Sequence, residues 1–286
     1  MPIQSVETMN SRPEFPNLPA ESEQTELNDL LVESLAPIEL SSGIREVLRT
    51  RLMDRIARSV ADQAGLLTVR LKDGAWQTLR RGVRFKPLWT GPAGSSVLIE
   101  FAPGALLPAH RHSWTEEGIV LRGGLQMGSL DLGPLDYHLS PAGSRHASIR
   151  SRQGALAYLR GTSLGRKSSV LRELIGGLLP VTGPAPTTVF ADNKEGWVEV
   201  AEGVMKKDLC SDGILASRFY RLAPGAKVPA HSHLQDEECM MLEGEVFLGD
   251  ILLRAGEYQL APVGTRHGEV FSDVGATLFV RGARDD

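Results

Sequence analysis

The chain writes itself twice. PAHRHSWTEE over 108–117 returns as PAHSHLQDEE over 229–238. The number of His231 exceeds that of His110 by 121, and the same offset carries Trp76 to Trp197, Gly104 to Gly225 and Gly123 to Gly244. It also carries Tyr137 to Tyr258, Pro141 to Pro262, His146 to His267 and Gly161 to Gly282, with no gap between any of these anchors. Roughly a third of the positions in this register are identical, so the halves read as an internal duplication; a solenoid is excluded because its units run only about 20–50 residues. A chain of 286 residues has room for two ordinary domains at about 100–200 residues each. Each copy is therefore expected to be one domain.

What precedes the first copy differs in character. Residues 1–23 carry Pro2, Pro13, Pro16 and Pro19 among Ser, Glu and Asn, the pattern of a flexible tail. Leu27, Leu30, Leu31 and Leu35 then suit one face of a short helix ending before Pro37. A second helix is expected over 43–62, where Ile44, Val47, Leu48, Leu52, Ile56 and Val60 recur in steps of three and four. Ser41 or Ser42 would cap it. Two uses fit this pair: covering the core of the first barrel, or forming a docking arm for a partner protein. From Leu71 short apolar runs alternate with Gly, Pro and Asp at intervals of about 8–12 residues, the mark of a sandwich or barrel of strands. A short helix over 168–179 and the Pro-rich stretch 180–186 are expected to connect the copies. The division is thus a tail over 1–23, a helical segment over 24–65, a first barrel over 66–165, a linker over 166–191 and a second barrel over 192–286.

Composition narrows the partners. Hydrophobic residues make up 42% and charged residues 23%, as in globular proteins at large. A net charge of −4 gives no reason to expect nucleic acid or an anionic membrane. No stretch approaches the ~20 apolar residues of a membrane span, and no basic region followed by an apolar run marks a signal peptide. The two cysteines, Cys210 and Cys239, make no disulfide framework, so a cytoplasmic location is expected. Exposed barrel edges leave homo-oligomers open.

Six of the seven histidines fall at matched positions: His110, His112 and His146, then His231, His233 and His267. Residues two apart on a strand face the same way, so each His-x-His aims two imidazoles at one point. Glu116 and Glu237 lie four residues beyond the second histidine of each set, where a turn between strands would return a carboxylate to that point. The third histidine closes PAGSRH (141–146) and PVGTRH (262–267), whose Pro and Gly mark a turn. Three imidazoles and one carboxylate suit a divalent transition metal such as zinc, iron, manganese or nickel, up to two ions per chain. The seventh histidine, His138, is matched by Gln259 and stands outside the repeat.

These residues resemble the cupin motifs. The first motif reads here as Gly104, His110, His112, Glu116, Gly123, and again as Gly225, His231, His233, Glu237, Gly244. The second reads as Gly256, Pro262, Gly264 and His267; its first copy has Leu135 where the leading glycine is usual, then Pro141, Gly143 and His146. Arg150 and Phe271 stand where the motif has Asn. The resemblance covers about 71–165 and 192–286, and it implies an all-β bicupin: two tandem jelly-roll barrels behind a short helical segment, binding metal through the His and Glu sets. Glu117 and Glu238 rank second as ligands, being wrongly spaced from the closing glycine. The segment 35–59 further resembles the helix and linker ahead of the barrel in ChrR-type anti-sigma factors. In that family an N-terminal zinc module of His and Cys holds the sigma factor, and this sequence has no Cys or His before His110.

Three functions stay in play. The first is a regulator or sensor responding to a small molecule or oxidant at the metal, with a sigma factor as partner of the helices. The second is a mononuclear iron dioxygenase acting on a small diketone or organic acid. The third is a bicupin whose metals only stabilise it. The copies differ between the ligands, where Ser113, Trp114 and Thr115 face Leu234, Gln235 and Asp236. They differ again at Cys239, matched by Gly118; alternation turns this thiol inward, as an oxidisable sensor or as a small core residue. Arg145 and Arg266 each precede the third histidine, and parity points them outward.

Overall fold

The computed structural model describes residues 21–35, 39–165 and 183–284. The helix expected over 168–179 lies outside them. The chain forms two units that part after Ile56.

The first unit is helical. Helix α1 spans Glu21–Ser34 and helix α2 spans Ser42–Asp62. α1 opens inside the stretch expected to be tail. The Ser41 hydroxyl accepts the Ile44 N–H at 3.4 Å, so Ser41 is the cap. No residue of α2 is buried. Leu27, Leu30, Leu31, Ile44, Val47, Leu48, Leu52 and Ile56 are all exposed.

The second unit is all-β, two tandem jelly-roll barrels. In the first, seven strands run in the order Thr187–Val189, Tyr137–Ser140, Glu116–Gly123, Ala155–Thr162, Gly94–Phe101, Val83–Gly91 and Gln77–Arg80. A smaller sheet of Leu106–Leu107, Ile149–Arg150, Leu125–Met127 and Leu130–Leu132 faces it. The second barrel repeats the plan with Leu67–Val69, Tyr258–Ala261, Glu237–Leu248, Ala276–Ala283, Leu215–Leu222, Val204–Ser211 and Trp197–Ala201. One strand of each large sheet comes from the other copy's side of the sequence. Leu67–Val69, within the span expected to be the first barrel, pairs with Tyr258–Leu260 of the second. Thr187–Val189, within the span expected to be linker, pairs with Tyr137–Leu139 of the first. The two edge strands are exchanged.

Alternation along the strands sorts the core into three layers. Val97, Ile99, Phe101, Val120 and Ala157 fill the first barrel. Val204, Leu222, Met241, Val246, Leu253 and Leu278 fill the second. Between the barrels Leu98, Ile119, Tyr137 and Tyr158 meet Phe219, Met240, Tyr258 and Phe279. A buried ion network crosses this middle layer. Arg160 Nε donates to Glu238 at 2.7 Å and its NH1 to Glu117 at 3.4 Å; Arg281 lies 3.8 Å from Glu117. Arg160 and Arg281 are matched residues, as are Glu117 and Glu238, so the contact is self-complementary in the manner of a two-fold interface.

The anchor glycines have steric causes. Gly123 and Gly244 hold φ of +77° and +72°. A Cβ there would sit 2.0 and 2.1 Å from the carbonyl oxygens of Gly154 and Gly275. Leu135, standing where the motif has glycine, takes the same left-handed backbone at φ +67°.

Candidate metal centres

Short ladders build each site. His110–Arg111 pairs with Arg145–His146, placing the backbone of His146 directly opposite His110; His231 is opposite His267 in the same way. The ladder runs on through His112 N–H to Ser144 O at 3.0 Å and His233 N–H to Thr265 O at 3.0 Å. Behind each third histidine is a four-residue turn closed by Ser144 N–H to Pro141 O (3.0 Å) or Thr265 N–H to Pro262 O (3.1 Å). Its third residue, Gly143 or Gly264, has positive φ, as such a turn requires.

In the second barrel His231, His233, Glu237 and His267 offer ligand atoms that all lie within 4.8 Å of one another. The His233 and His267 rings are 4.5 Å apart by centroid, and Glu237 Oε1 is 3.8 Å from His233 Nδ1 and 3.9 Å from His267 Nδ1. In the first barrel the ligand atoms of His110, His112 and Glu116 likewise lie within 4.8 Å of one another, and all three residues are buried. The side chain of His146 lies outside the described part of the structure.

The chemistry of these groups fits a cation. His110 Nδ1 faces the carbonyl of Pro108 at 3.0 Å, and His231 Nδ1 that of Pro229 at 3.1 Å. Only an N–H can satisfy a carbonyl, so the lone pair is set on Nε2; a partner on the remote nitrogen is how ligating imidazoles are oriented. His267 is oriented from the other end: its Nε2–H donates to Gln259 Oε1 at 2.7 Å, and the Gln259 amide donates to Thr68 Oγ1 at 3.0 Å. Thr68 belongs to the exchanged strand. Burial holds His112 down to about 3, helped by His110 and His138. It holds His233 to about 4 and His267 to about 3. These imidazoles are neutral near pH 7, the state that binds metal. His233 Nε2 is buried with no hydrogen-bond partner among the described residues, a cost of about 1–3 kcal/mol that a bound cation would remove.

Sequence reasoning missed His138. It lines the interior of the first barrel with His110, Glu116 and Ser140, and its Nδ1 meets Thr188 Oγ1, on the other exchanged strand, at 2.8 Å. Strand parity with Ser140 carried the signal, but the break in the repeat drew attention away from it. The second-choice ligands are elsewhere. Glu117 accepts from Tyr137 Oη and Glu238 from Tyr258 Oη, each at 2.8 Å, in the layer between the barrels. Neighbours on a strand face opposite ways, so Glu116 and Glu237 turn inward while Glu117 and Glu238 turn out. Arg145 and Arg266 are exposed, as parity requires. Cys239 does turn inward, but it is 4% exposed within the second core. Burial, with Glu237 adding to it, pushes its thiol far up, so it is a core residue and not a reactive thiolate.

The interiors differ. A cavity of about 410 Å³ opens on the first cluster. Its wall holds His110, Glu116 and His138 together with Leu107, Val120, Leu125, Met127, Leu132, Ile149, Ala157 and Leu159; Arg80, Thr162 and Ser163 also reach it. At the positions of Val120 and Ala157 the second barrel has Met241 and Leu278, both in its core cluster.

The model of the ChrR cupin-like domain family matches residues 64–163 and again 186–283. The chain belongs to this family. Among solved structures, it is similar to a putative dioxygenase from Nostoc punctiforme, with 17% identity, a TM-score of 0.59, and coverage of 77% of this chain and 83% of that one. It is similar also to a Lactobacillus farciminis oxalate decarboxylase in a formate complex, with 15% identity, a TM-score of 0.56 and coverage of 76% and 86%. A Bacillus subtilis oxalate decarboxylase studied for its Mn(II) centres matches at 17% identity and a TM-score of 0.53, over 98% of this chain and 87% of that one. At these identities the likeness establishes the bicupin fold. No curated protein matches. Among the described residues no helix is long and apolar enough to cross a membrane.

Proposed function

We propose that this bicupin is a metal-dependent sensor of a small organic molecule, ChrR-like in plan, in which the first barrel receives the ligand and the helices dock a regulated protein. The observation that carries this reading is the cavity that opens on His110, Glu116 and His138. A divalent metal would be held by His110, His112, Glu116 and His146 in the first barrel and by His231, His233, Glu237 and His267 in the second. Such a metal supplies positive charge and open coordination positions for an oxygen-bearing ligand. The protein's own part is to hold the imidazoles neutral and oriented and to keep apolar side chains around the remaining space. The exposed apolar stripe of α1 and α2 supports a docking role, with a sigma factor as the partner the family resemblance suggests. The reduced thiols Cys210 and Cys239 agree with a cytoplasmic setting.

The test is metal analysis of protein purified from its own host, followed by Co(II) substitution. Near-stoichiometric metal and a Co(II) spectrum of nitrogen and oxygen ligands are expected, and a chain that takes up no transition metal overturns the reading. A pull-down with sigma factors of the host tests the partner; empty lanes for apo, metal-loaded and oxidised protein remove it. The open cavity also favours a second reading, a cupin-type iron dioxygenase acting on a small diketone or organic acid. Substrate-dependent oxygen uptake by Fe(II)-loaded protein distinguishes it from the sensor.

A further inference from the structure

The offset of 121 allows the two interiors to be compared wall by wall. Gly118, Val120, Ala157 and Ile99 line the cavity of the first barrel. At the matched positions the second barrel has Cys239, Met241 and Leu278 in its core cluster, with Tyr220 half-buried against it. The side chains at these four positions are larger in the second barrel, while Leu107, Leu125, Ile149 and Leu159 of the first are each matched by a valine. The neighbour of the glycine shows that the change is built into the wall. A Cβ on Gly118 would meet Leu159 at 3.2 Å, whereas the second barrel has the shorter Val280 opposite its Cys239.

A void lined by aliphatic groups forfeits the dispersion contacts that close packing supplies. The open volume is within the roughly 300–1,000 Å³ of small-molecule sites. Its wall combines two chemistries: the imidazoles and carboxylate of the cluster, and an aliphatic surface of Leu107, Leu125, Met127, Leu132 and Ile149.

We propose that the first barrel selects amphiphilic acids or ketones: an oxygen-donor head group seated at the His110, His112 and Glu116 cluster, and an unbranched aliphatic tail in the cavity. The second barrel takes no such tail and holds its metal as a structural centre. This rests on the metal reading above for the head group and on the cavity alone for the tail.

The experiment is calorimetric titration of the full chain, loaded with Co(II), with straight-chain α-keto acids from α-ketobutyrate to α-ketodecanoate. Affinity is expected to rise about fourfold per methylene until the cavity is full, with one tail site per chain. Ala157→Leu and Val120→Met, which copy the second barrel's residues into the first, should flatten this rise while α-ketobutyrate binds as before. The Co(II) spectrum reports whether each variant keeps its metal site. Affinity independent of tail length in the unmodified protein, with the Co(II) bands still shifting on binding, overturns the tail site and leaves the metal reading standing. Linear alcohols that bind the metal-free protein with the same length dependence support the cavity even where the metal reading fails. A second tail site, or a length dependence unmoved by Ala157→Leu in folded protein, overturns the assignment to the first barrel.

Discussion

The two barrels match to the residue at their candidate ligands and diverge in what surrounds them. His110, His112 and Glu116 recur as His231, His233 and Glu237, each set within 4.8 Å. Behind the first set lies open space lined by Val120 and Ala157; at those positions behind the second are the larger Met241 and Leu278. The residue matched to Gln259 differs as well: it is His138, and each of the two is tied to a threonine of an exchanged strand. Duplication has kept the donors that converge on a point and changed the volume and polarity next to it. On the proposed reading the first site takes a ligand and the second holds an ion for its own sake.

Paired substitutions test that division. The largest effect should come from His112→Ala, which on the proposed reading abolishes binding of a long-tailed keto acid, a loss beyond about a hundredfold. His233→Ala should leave that binding within about threefold and lower the thermal midpoint instead; equal losses from both in calorimetry would end the asymmetry. Next is Leu278→Ala. Emptying a packed site should cost about 2–5 kcal/mol, measured by urea denaturation. A cost well below that range would mean the second interior is looser than its burial implies. Third is Gln259→Leu, which removes the partner of His267 Nε2. Metal affinity at the second centre should fall about 10–100-fold, with the first centre unaffected, as followed by competition with a chromophoric chelator.

Much of the architecture was legible because it depends on periodicity. Two barrels follow from one constant offset, and the inward turn of Cys239 and the outward turn of Arg145 and Arg266 follow from strand parity. Parity reports a face, not what the face meets. Spacing to the closing glycine ranked Glu117 and Glu238 second as ligands but could not show that they pair with Arg160 and Arg281 across the two barrels. The cavity was hidden for a related reason. Val120 against Met241 and Ala157 against Leu278 are unremarkable apolar pairs in a sequence, and only their convergence in one interior turns several small differences into a void. The exchanged strands could not be read at all, since Leu67–Val69 and Thr187–Val189 are three residues each and owe their pairing to distant partners.

That exchange bears on descent. Were the chain cut between its halves, each barrel would lose a border strand to the fragment holding its sibling, and the Thr68 and Thr188 hydroxyls would leave with them. Swapping like pieces across a two-fold axis is how identical subunits commonly clasp each other. The reciprocal Arg–Glu contacts have the same symmetry. The molecule is thus organised as a homodimer whose subunits have been joined end to end, after which selection was at liberty to alter one half without altering the other.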